Sequence, residues 1–83
     1  MVKWNKYSTR KRPDENRMVL LQRKLDFKLF GSDTVYTLLW IRDKRQGTVS
    51  TSEGNWWRDW KDWGDTAVQW VYLDELLKEG GLQ

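Results

Sequence analysis

The sequence predicts an α+β fold: a small antiparallel sheet of three or four strands, with a Trp-rich helical turn and a short C-terminal helix. Three observations lead to this prediction. Apolar and polar residues alternate along residues 24–29, as in a half-buried strand. Residues 34–41 are mostly β-branched or aromatic, which is typical of strands. Residues 75–79 lie between Asp74 and a Gly-Gly pair, which favours a short helix between a cap and a stop.

Residues 17–30 fit two different structures. With a period of two, five apolar residues share one face: Val19, Leu21, Leu25, Phe27 and Leu29. With a period of 3.6, an apolar stripe is formed by Met18, Leu21, Leu25 and Leu29. Pro13 and Gly31 then suit a helix start and a helix stop. The alternation along residues 24–29 favours the strand, which would form a hairpin with the strand at residues 34–41.

The remaining segments are short and are separated by turn residues. In chain order we predict a turn at 31–33, a charged turn at 42–47, a short edge strand at 48–51, a loop at 52–55 and a strand at 67–73. Trp70 and Val71 lie on opposite faces of the last strand, because successive side chains alternate. All segments belong to one domain, residues 1–83, because a chain of 83 residues has room for a single small core.

Seven of the 83 residues are Trp, and four of them lie within residues 56–63. One or two helical turns would place positions 56, 60 and 63 on one face, supported by opposite charges four residues apart. Four indoles exceed what one face of a short helix buries, so we expect one or two of them to be partly exposed. The predicted partner-binding residues are therefore Trp56, Trp57, Arg58, Trp60, Lys61 and Trp63.

Three roles of this Trp cluster stay open from the sequence. The indoles complete a small core, or they anchor a protein interface, where Trp and Arg are favoured. In the third role they stack unpaired bases while Arg58 and Lys61 hold the phosphates.

Positive charge is concentrated in the first half of the chain. Residues 1–45 carry 12 Lys and Arg against 5 Asp and Glu, whereas residues 46–83 carry 3 against 7. Residues 1–17 are densest in positive charge, and we interpret them as a basic arm that Trp4 and Tyr7 partly anchor to the domain. Its basic residues are Lys3, Lys6, Arg10, Lys11, Arg12 and Arg17. The arm either meets phosphate or an acidic protein surface, or is a solvated segment whose charge the acidic half offsets.

The chain contains neither Cys nor His. Disulfides, zinc fingers, iron–sulfur clusters and thiol catalysis are therefore excluded. We find no nucleophile elbow, phosphate-binding Gly loop or calcium-binding loop in the sequence. These observations predict a protein without enzymatic activity, cofactor or metal. The lack of a signal-like apolar start or of an apolar run near ~20 residues predicts a cytoplasmic protein.

Five sequence features follow one another along the chain: Trp4, Pro13, Val19-Leu20-Leu21, the Trp-rich middle and residues 68–73. In this layout the chain resembles a small family of domains of unknown function, found mainly in phages and prophages, that closes with a Thr-His-Trp-Met-Pro-Leu-Pro-like strand. The resemblance spans residues 4 to about 76. It implies a strand at residues 18–29 and a compact antiparallel sheet, but no activity. It also implies a phage accessory protein in the cytoplasm of the infected or lysogenic host cell.

Small size, missing catalytic groups, surplus Trp and segregated charge lead to two hypotheses of function. The first is a non-catalytic phage-type accessory protein that captures or inhibits a host or defence protein. The alternative is the binding of single-stranded nucleic acid or a small nucleotide through the Trp cluster. Neither hypothesis involves a membrane, and the oligomeric state does not follow from the sequence.

Overall fold

The structure is a computed structural model that describes residues 2–27, 29, 31–52 and 54–79, with side chains described for all of these except residues 27 and 54–58. Its strands are β1 (Asn5–Lys6), β2 (Val19–Phe27), β3 (Gly31–Asp43), β4 (Thr48–Thr51), β5 (Gly54–Asp59) and β6 (Ala67–Tyr72). A 3-10 helix (Trp60–Trp63) joins β5 to β6, and the helix α1 (Leu73–Lys78) follows β6. The strands form one antiparallel sheet in the order β1-β6-β2-β3-β4-β5.

The predicted class is confirmed in its coarser form, a small antiparallel sheet with a helical turn and a short C-terminal helix. Within the described residues the sheet has six strands rather than three or four, and one of these strands is only two residues long. The described part of the chain contains no helix long and apolar enough to cross a membrane.

The ambiguous segment at residues 17–30 forms a strand over Val19–Phe27, as the alternation favours. β2 pairs with β3 on one side and with β6 on the other, so its backbone groups are satisfied by two ladders. The predicted turn at residues 31–33 is wrong, because the ladder continues as far as the pair Phe27↔Gly31. Gly31 has φ +82°, a left-handed conformation that glycine adopts without strain.

The strand at residues 48–51 is confirmed, but it is not at the edge of the sheet. β5 pairs with its outer side, from Thr48↔Asp59 to Thr51↔Gly54. This ladder also corrects two further predictions. The last two residues of the loop predicted at 52–55 belong to β5, and the helical turns predicted from Trp56 are strand as far as Asp59. Ladder hydrogen bonds outweigh the weak side-chain pairs of an isolated helical turn, which contribute only ~0.2–0.5 kcal/mol each. Helical structure begins at Trp60.

The larger core lies on the inner face of the sheet. It contains Val19, Leu21, Leu39, Ile41, Val49, Trp60, Trp63 and Trp70. The 3-10 helix contributes two of these indoles because residues three apart eclipse each other along such a helix. Trp60 is 0% exposed and is the largest fully buried side chain.

A smaller core lies on the outer face of the same sheet. Leu20, Val71 and Leu76 form its buried centre, and Val2, Trp4, Leu38 and Leu73 pack around them. The helix α1 covers this apolar part of the outer face. α1 starts at Leu73, and its N-cap residue Tyr72 makes no side-chain cap. The predicted cap by Asp74 is therefore wrong, since Asp74 lies in the first turn and its carboxylate accepts hydrogen bonds from Arg17.

Candidate ligand site along strand β1

An open cleft of about 790 Å³ runs along β1 and the residues that follow it. Its lining residues are Lys3, Trp4, Asn5, Lys6, Tyr7, Ser8, Thr9, Lys11, Gly64 and Trp70. The volume falls within the range of roughly 300–1,000 Å³ that small-molecule pockets occupy in proteins. We call this feature the arm cleft.

The short strand β1 fixes the direction in which the arm residues point. Asn5 pairs with Trp70 and Lys6 with Gln69, and the Tyr7 N–H donates to the Val68 carbonyl at 3.1 Å. Trp70 belongs to the larger core, so its partner Asn5 lies on the inner face of the sheet. Because side chains alternate along a strand, Lys6 lies on the outer face and Tyr7 on the inner face.

Tyr7 and Ser8 fasten the arm to the 3-10 helix. The Tyr7 hydroxyl donates to the Trp60 carbonyl at 2.6 Å, and the Trp60 indole N–H donates to the Ser8 carbonyl at 2.7 Å. The Tyr7 and Trp60 ring centroids are 4.8 Å apart. Burial, and then the negative charge of Asp62, raise the pKa of Tyr7 above its ordinary value of 10.0. The hydroxyl therefore stays a donor at neutral pH.

Three lysines give the arm cleft its charge. Lys3, Lys6 and Lys11 are exposed, and none of them makes an ion pair within 4.0 Å among the residues that the structure describes. None of the lining residues described is Asp or Glu. The lining thus combines ammonium groups, hydroxyls, an amide and aromatic rings, a set that suits an anion carrying a flat ring.

Arg17 is an arm residue whose charge is already used within the protein. Its guanidinium donates to both carboxylate oxygens of Asp74, at 2.9 and 3.1 Å, and stacks on the Tyr72 ring at 3.5 Å. Asp14 lies 3.8 Å away and forms a second ion pair with Lys44 at 3.0 Å. The hydrogen bond and charge of Lys44 lower the pKa of Asp14 below its ordinary value of 3.8.

Arg12 also folds back onto the protein. Its Nη1 donates to the carbonyls of Lys44 and Arg45 at 2.9 and 3.3 Å. Of the six basic residues predicted to form a binding arm, the structure therefore brings Lys3, Lys6 and Lys11 together at the arm cleft and sets Arg12 and Arg17 into internal contacts. Arg10 is exposed beside the arm cleft but is not part of its lining.

The Trp cluster is placed differently from the prediction. Trp60 is fully buried and Trp63 is 4% exposed, so neither ring presents a docking surface. Lys61 is exposed on the 3-10 helix. The side chains of Trp56, Trp57 and Arg58 lie outside those described, so their predicted partner-binding role stays a prediction. Sequence reasoning assumed one helical face, whereas strand β5 and the 3-10 helix divide the segment between two elements.

Several lining residues of the arm cleft were missed from the sequence. Trp70, for example, was recognised only as a strand residue. The Trp4-Asn5-Lys6-Tyr7 run alternates aromatic and polar character poorly, so the two-residue strand β1 gave no periodic signal. Contacts across more than 50 residues, such as Tyr7 with Trp60, leave no trace in local spacing.

The described residues include no group of three or more His, Cys, Asp or Glu side chains arranged to hold a metal ion. What the fold and the site define is thus a small sheet-rich domain with a basic, aromatic cleft at its edge. No family model matches the chain, and neither a curated protein nor a solved structure matches it. The resemblance to the phage family therefore stays a prediction.

Proposed function

We propose that this protein is a non-catalytic binding protein that holds single-stranded nucleic acid, or a nucleotide, along strand β1. The observation that supports the proposal is the arm cleft, where Lys3, Lys6 and Lys11 lie beside aromatic rings with no carboxylate in the described lining. Phosphate binding by lysine and stacking by aromatic rings are the two interactions that single-strand binding proteins combine.

The aromatic part of the arm cleft favours unpaired bases over a duplex. Trp4 is half-buried, so part of its ring remains open to a ligand. Base pairs inside a duplex cannot stack on such a ring without being taken out of the helix, which costs a few kcal/mol. A single strand presents its bases freely, and stacking one base on an aromatic ring contributes ~1–3 kcal/mol.

Fluorescence anisotropy of labelled oligo(dT) and oligo(rU), titrated with the protein across a KCl series, tests this proposal. Three lysines that neutralise three phosphates give a slope of log K against log salt of about −2, from about −0.7 per phosphate for single strands. A matched DNA duplex is expected to bind more weakly than either oligonucleotide.

The double variant Lys6→Ala with Lys11→Ala is expected to weaken binding and to make the salt slope shallower by about 1.4, since two phosphate contacts are lost. Arg45→Ala with Lys78→Ala removes the same charge from exposed positions outside the arm cleft and serves as the matched control. Equal losses in both double variants would show nonspecific attraction by net charge. Absence of binding to every oligonucleotide and to nucleotides would remove the proposal.

Capture of a host or defence protein by a phage-type accessory protein is the second candidate. The observation that favours it is a shallow hollow on the outer face, lined by Asn16, Met18 and Trp40, in which Met18 is 38% exposed. Met and Trp are enriched at protein interfaces.

A Met18→Glu variant is expected to lose a protein partner that the wild-type chain retains from host lysate, with the Kd then measured on the purified partner. The control is Leu77→Glu, because Leu77 is exposed on α1 and does not line the hollow. Retention of the same partner by Met18→Glu would exclude this surface.

A further inference from the structure

The outer face of the sheet carries a row of four side chains that cross four strands in register. Lys6 of β1 pairs with Gln69 of β6, Gln69 pairs with Gln22 of β2, and Gln22 pairs with Tyr36 of β3. Direct cross-strand partners lie on the same face of a sheet. With strands about 4.8 Å apart, the row is about 14 Å long.

This row lies beyond the apolar part of the outer face that α1 covers. The helix packs at Leu20 and Val71, which lie two residues along their strands from Gln22 and Gln69 and therefore on the same face. Tyr36 is 53% exposed, and Gln22 and Gln69 are half-buried. The row is therefore an open polar and aromatic strip beside a covered apolar core.

Two glutamine amides form the middle of the row. The Gln69 amide nitrogen donates to the Gln22 amide oxygen at 2.5 Å, which fixes the two side chains against each other. Neither side chain makes another hydrogen bond among the described residues. The Gln22 amide nitrogen and the Gln69 amide oxygen thus offer a donor and an acceptor to a ligand.

Aromatic rings and lysines flank the amide pair. The Trp4 ring centroid lies 6.4 Å from that of Tyr36, so the two rings border the same strip. Lys6 ends the row on one side, and Lys24 lies on the same face two residues after Gln22; neither makes an ion pair within 4.0 Å among the described residues. Asp26, a further two residues along β2, is the acidic residue that β2 adds to this face.

We propose that this strip is a base-reading surface: an unpaired adenine stacks on Tyr36, its edge bonds to the Gln22–Gln69 amide pair, and its phosphate lies toward Lys6 or Lys24. Adenine presents an adjacent N6–H donor and N7 acceptor that match the donor and acceptor of glutamine amides. The charge of the flanking lysines suits the phosphate, and Trp4 connects the strip to the arm cleft, where the strand continues. This inference rests on the proposed function and adds a base preference to it.

The first experiment compares oligo(dA) with oligo(dT) for the wild-type chain and its variants. Replacing Gln22 and Gln69 together by Leu is expected to lower the dA-over-dT affinity ratio fivefold or more, since a good bidentate contact contributes ~1–3 kcal/mol of discrimination. Tyr36→Ser is expected to weaken dA binding about fivefold or more, whereas Tyr36→Phe keeps it. Gln46→Leu, in the exposed β3–β4 turn, is the matched control, and circular dichroism verifies that each variant is folded.

An NMR titration with adenosine monophosphate gives a second measurement that does not need a variant. The side-chain amide signals of Gln22 and Gln69 are expected to shift saturably, while that of Gln46 does not. Shifts with the free nucleotide indicate a nucleotide site, and shifts only with oligo(dA) indicate a site for a strand. If the double Gln variant binds oligonucleotides with an unchanged dA-over-dT affinity ratio, the base-reading surface is overturned. Binding through the arm cleft would then still stand. Absence of wild-type binding to every oligonucleotide would instead remove the proposed function itself.

Discussion

The two halves of the N-terminal arm are similarly basic but are used differently. In residues 2–11 the lysines point to solvent around the arm cleft, while Tyr7 and Ser8 fasten the backbone to the core. In residues 12–17 the arginines are bound to carbonyls, carboxylates and a ring of the same chain. The difference follows from the side chains, because a planar guanidinium makes several fixed hydrogen bonds whereas an ammonium remains a hydrated point charge.

This contrast shows that charge density alone does not identify a binding arm. Arg12 and Arg17 add as much formal charge as any two lysines, but their donors are directed into the fold. Lys3, Lys6 and Lys11 retain their charge for a ligand. The first half of the arm therefore joins the core and leaves its cations open, and the second half holds the surface turns and α1 in place.

The largest effect on stability is expected from Trp60→Ala, which removes the ring against which the first half of the arm packs. Deletion of a fully buried Trp costs ~3–5 kcal/mol of unfolding free energy. The hydrogen bond from the indole N–H to the Ser8 carbonyl is lost, while the Tyr7 hydroxyl keeps its backbone acceptor but loses the ring against which Tyr7 packs. Urea denaturation followed by circular dichroism measures the loss. Leu77→Ala, at an exposed position of α1, is the control. A loss no larger than that of the control would show that the ring is not part of the core.

The next effect concerns the turn on which the second half of the arm rests. Gly47 has φ +82°, and a Cβ there would lie 2.8 Å from Arg12 Nε, so Gly47→Ala forces a left-handed alanine and displaces Arg12. The left-handed conformation alone costs ~1–2 kcal/mol. Gly31 has the same φ with no atom within 4 Å of its Cβ, so Gly31→Ala is the matched control. Thermal unfolding measures the stability lost in each variant, and the additional loss in Gly47→Ala is the effect of displacing Arg12. Equal losses in the two variants would show that the Arg12 contact adds no stability.

Tyr7→Phe is expected to cost about 1 kcal/mol of unfolding free energy, the contribution of one hydrogen bond. The pKa of Tyr7 is raised in the folded state, so its stabilisation is complete below the ordinary pKa of 10.0 and is lost as pH rises through the folded pKa. Wild-type stability measured from pH 8 to 11 should therefore fall toward that of Tyr7→Phe. Parallel pH profiles for the two proteins would contradict this assignment.

The smallest effect is expected at Asp14, which joins the second half of the arm to Lys44. Its pKa is lowered mainly by the hydrogen bond from Lys44, so its stabilisation is present above the ordinary pKa of 3.8 and is lost as pH falls through the folded pKa. Asp14→Asn should lower the melting temperature slightly at pH 7 and match the wild type at the lowest pH. An NMR titration of the Asp14 carboxyl that gives an ordinary pKa would exclude the ion pair in solution.

The strands were largely predictable because their local composition agrees with their tertiary neighbours. The β-branched and aromatic run at residues 34–41 is part of β3, and the segment at residues 48–51 is β4 with the predicted bounds. The Trp-rich segment was not predictable to the same degree. Part of its backbone pairs with β4, and that pairing depends on a partner strand outside residues 54–63.

The arm cleft was predictable only in its charge. The sequence identified the six basic residues and the two aromatic anchors, but not which cations would be used internally. That division depends on partners far away in the chain, such as Asp74 for Arg17 and the carbonyls of residues 44 and 45 for Arg12.

By itself the sequence determined the composition of this protein: a small sheet-forming chain without Cys or His, rich in Trp and basic at its start. Tertiary structure alone decided which Trp rings are buried and which lysines remain free, and it aligned Lys6, Gln69, Gln22 and Tyr36 in one row. The physical reason is that local propensity acts over a few residues, whereas burial and strand register are set by contacts between residues that are distant in the chain.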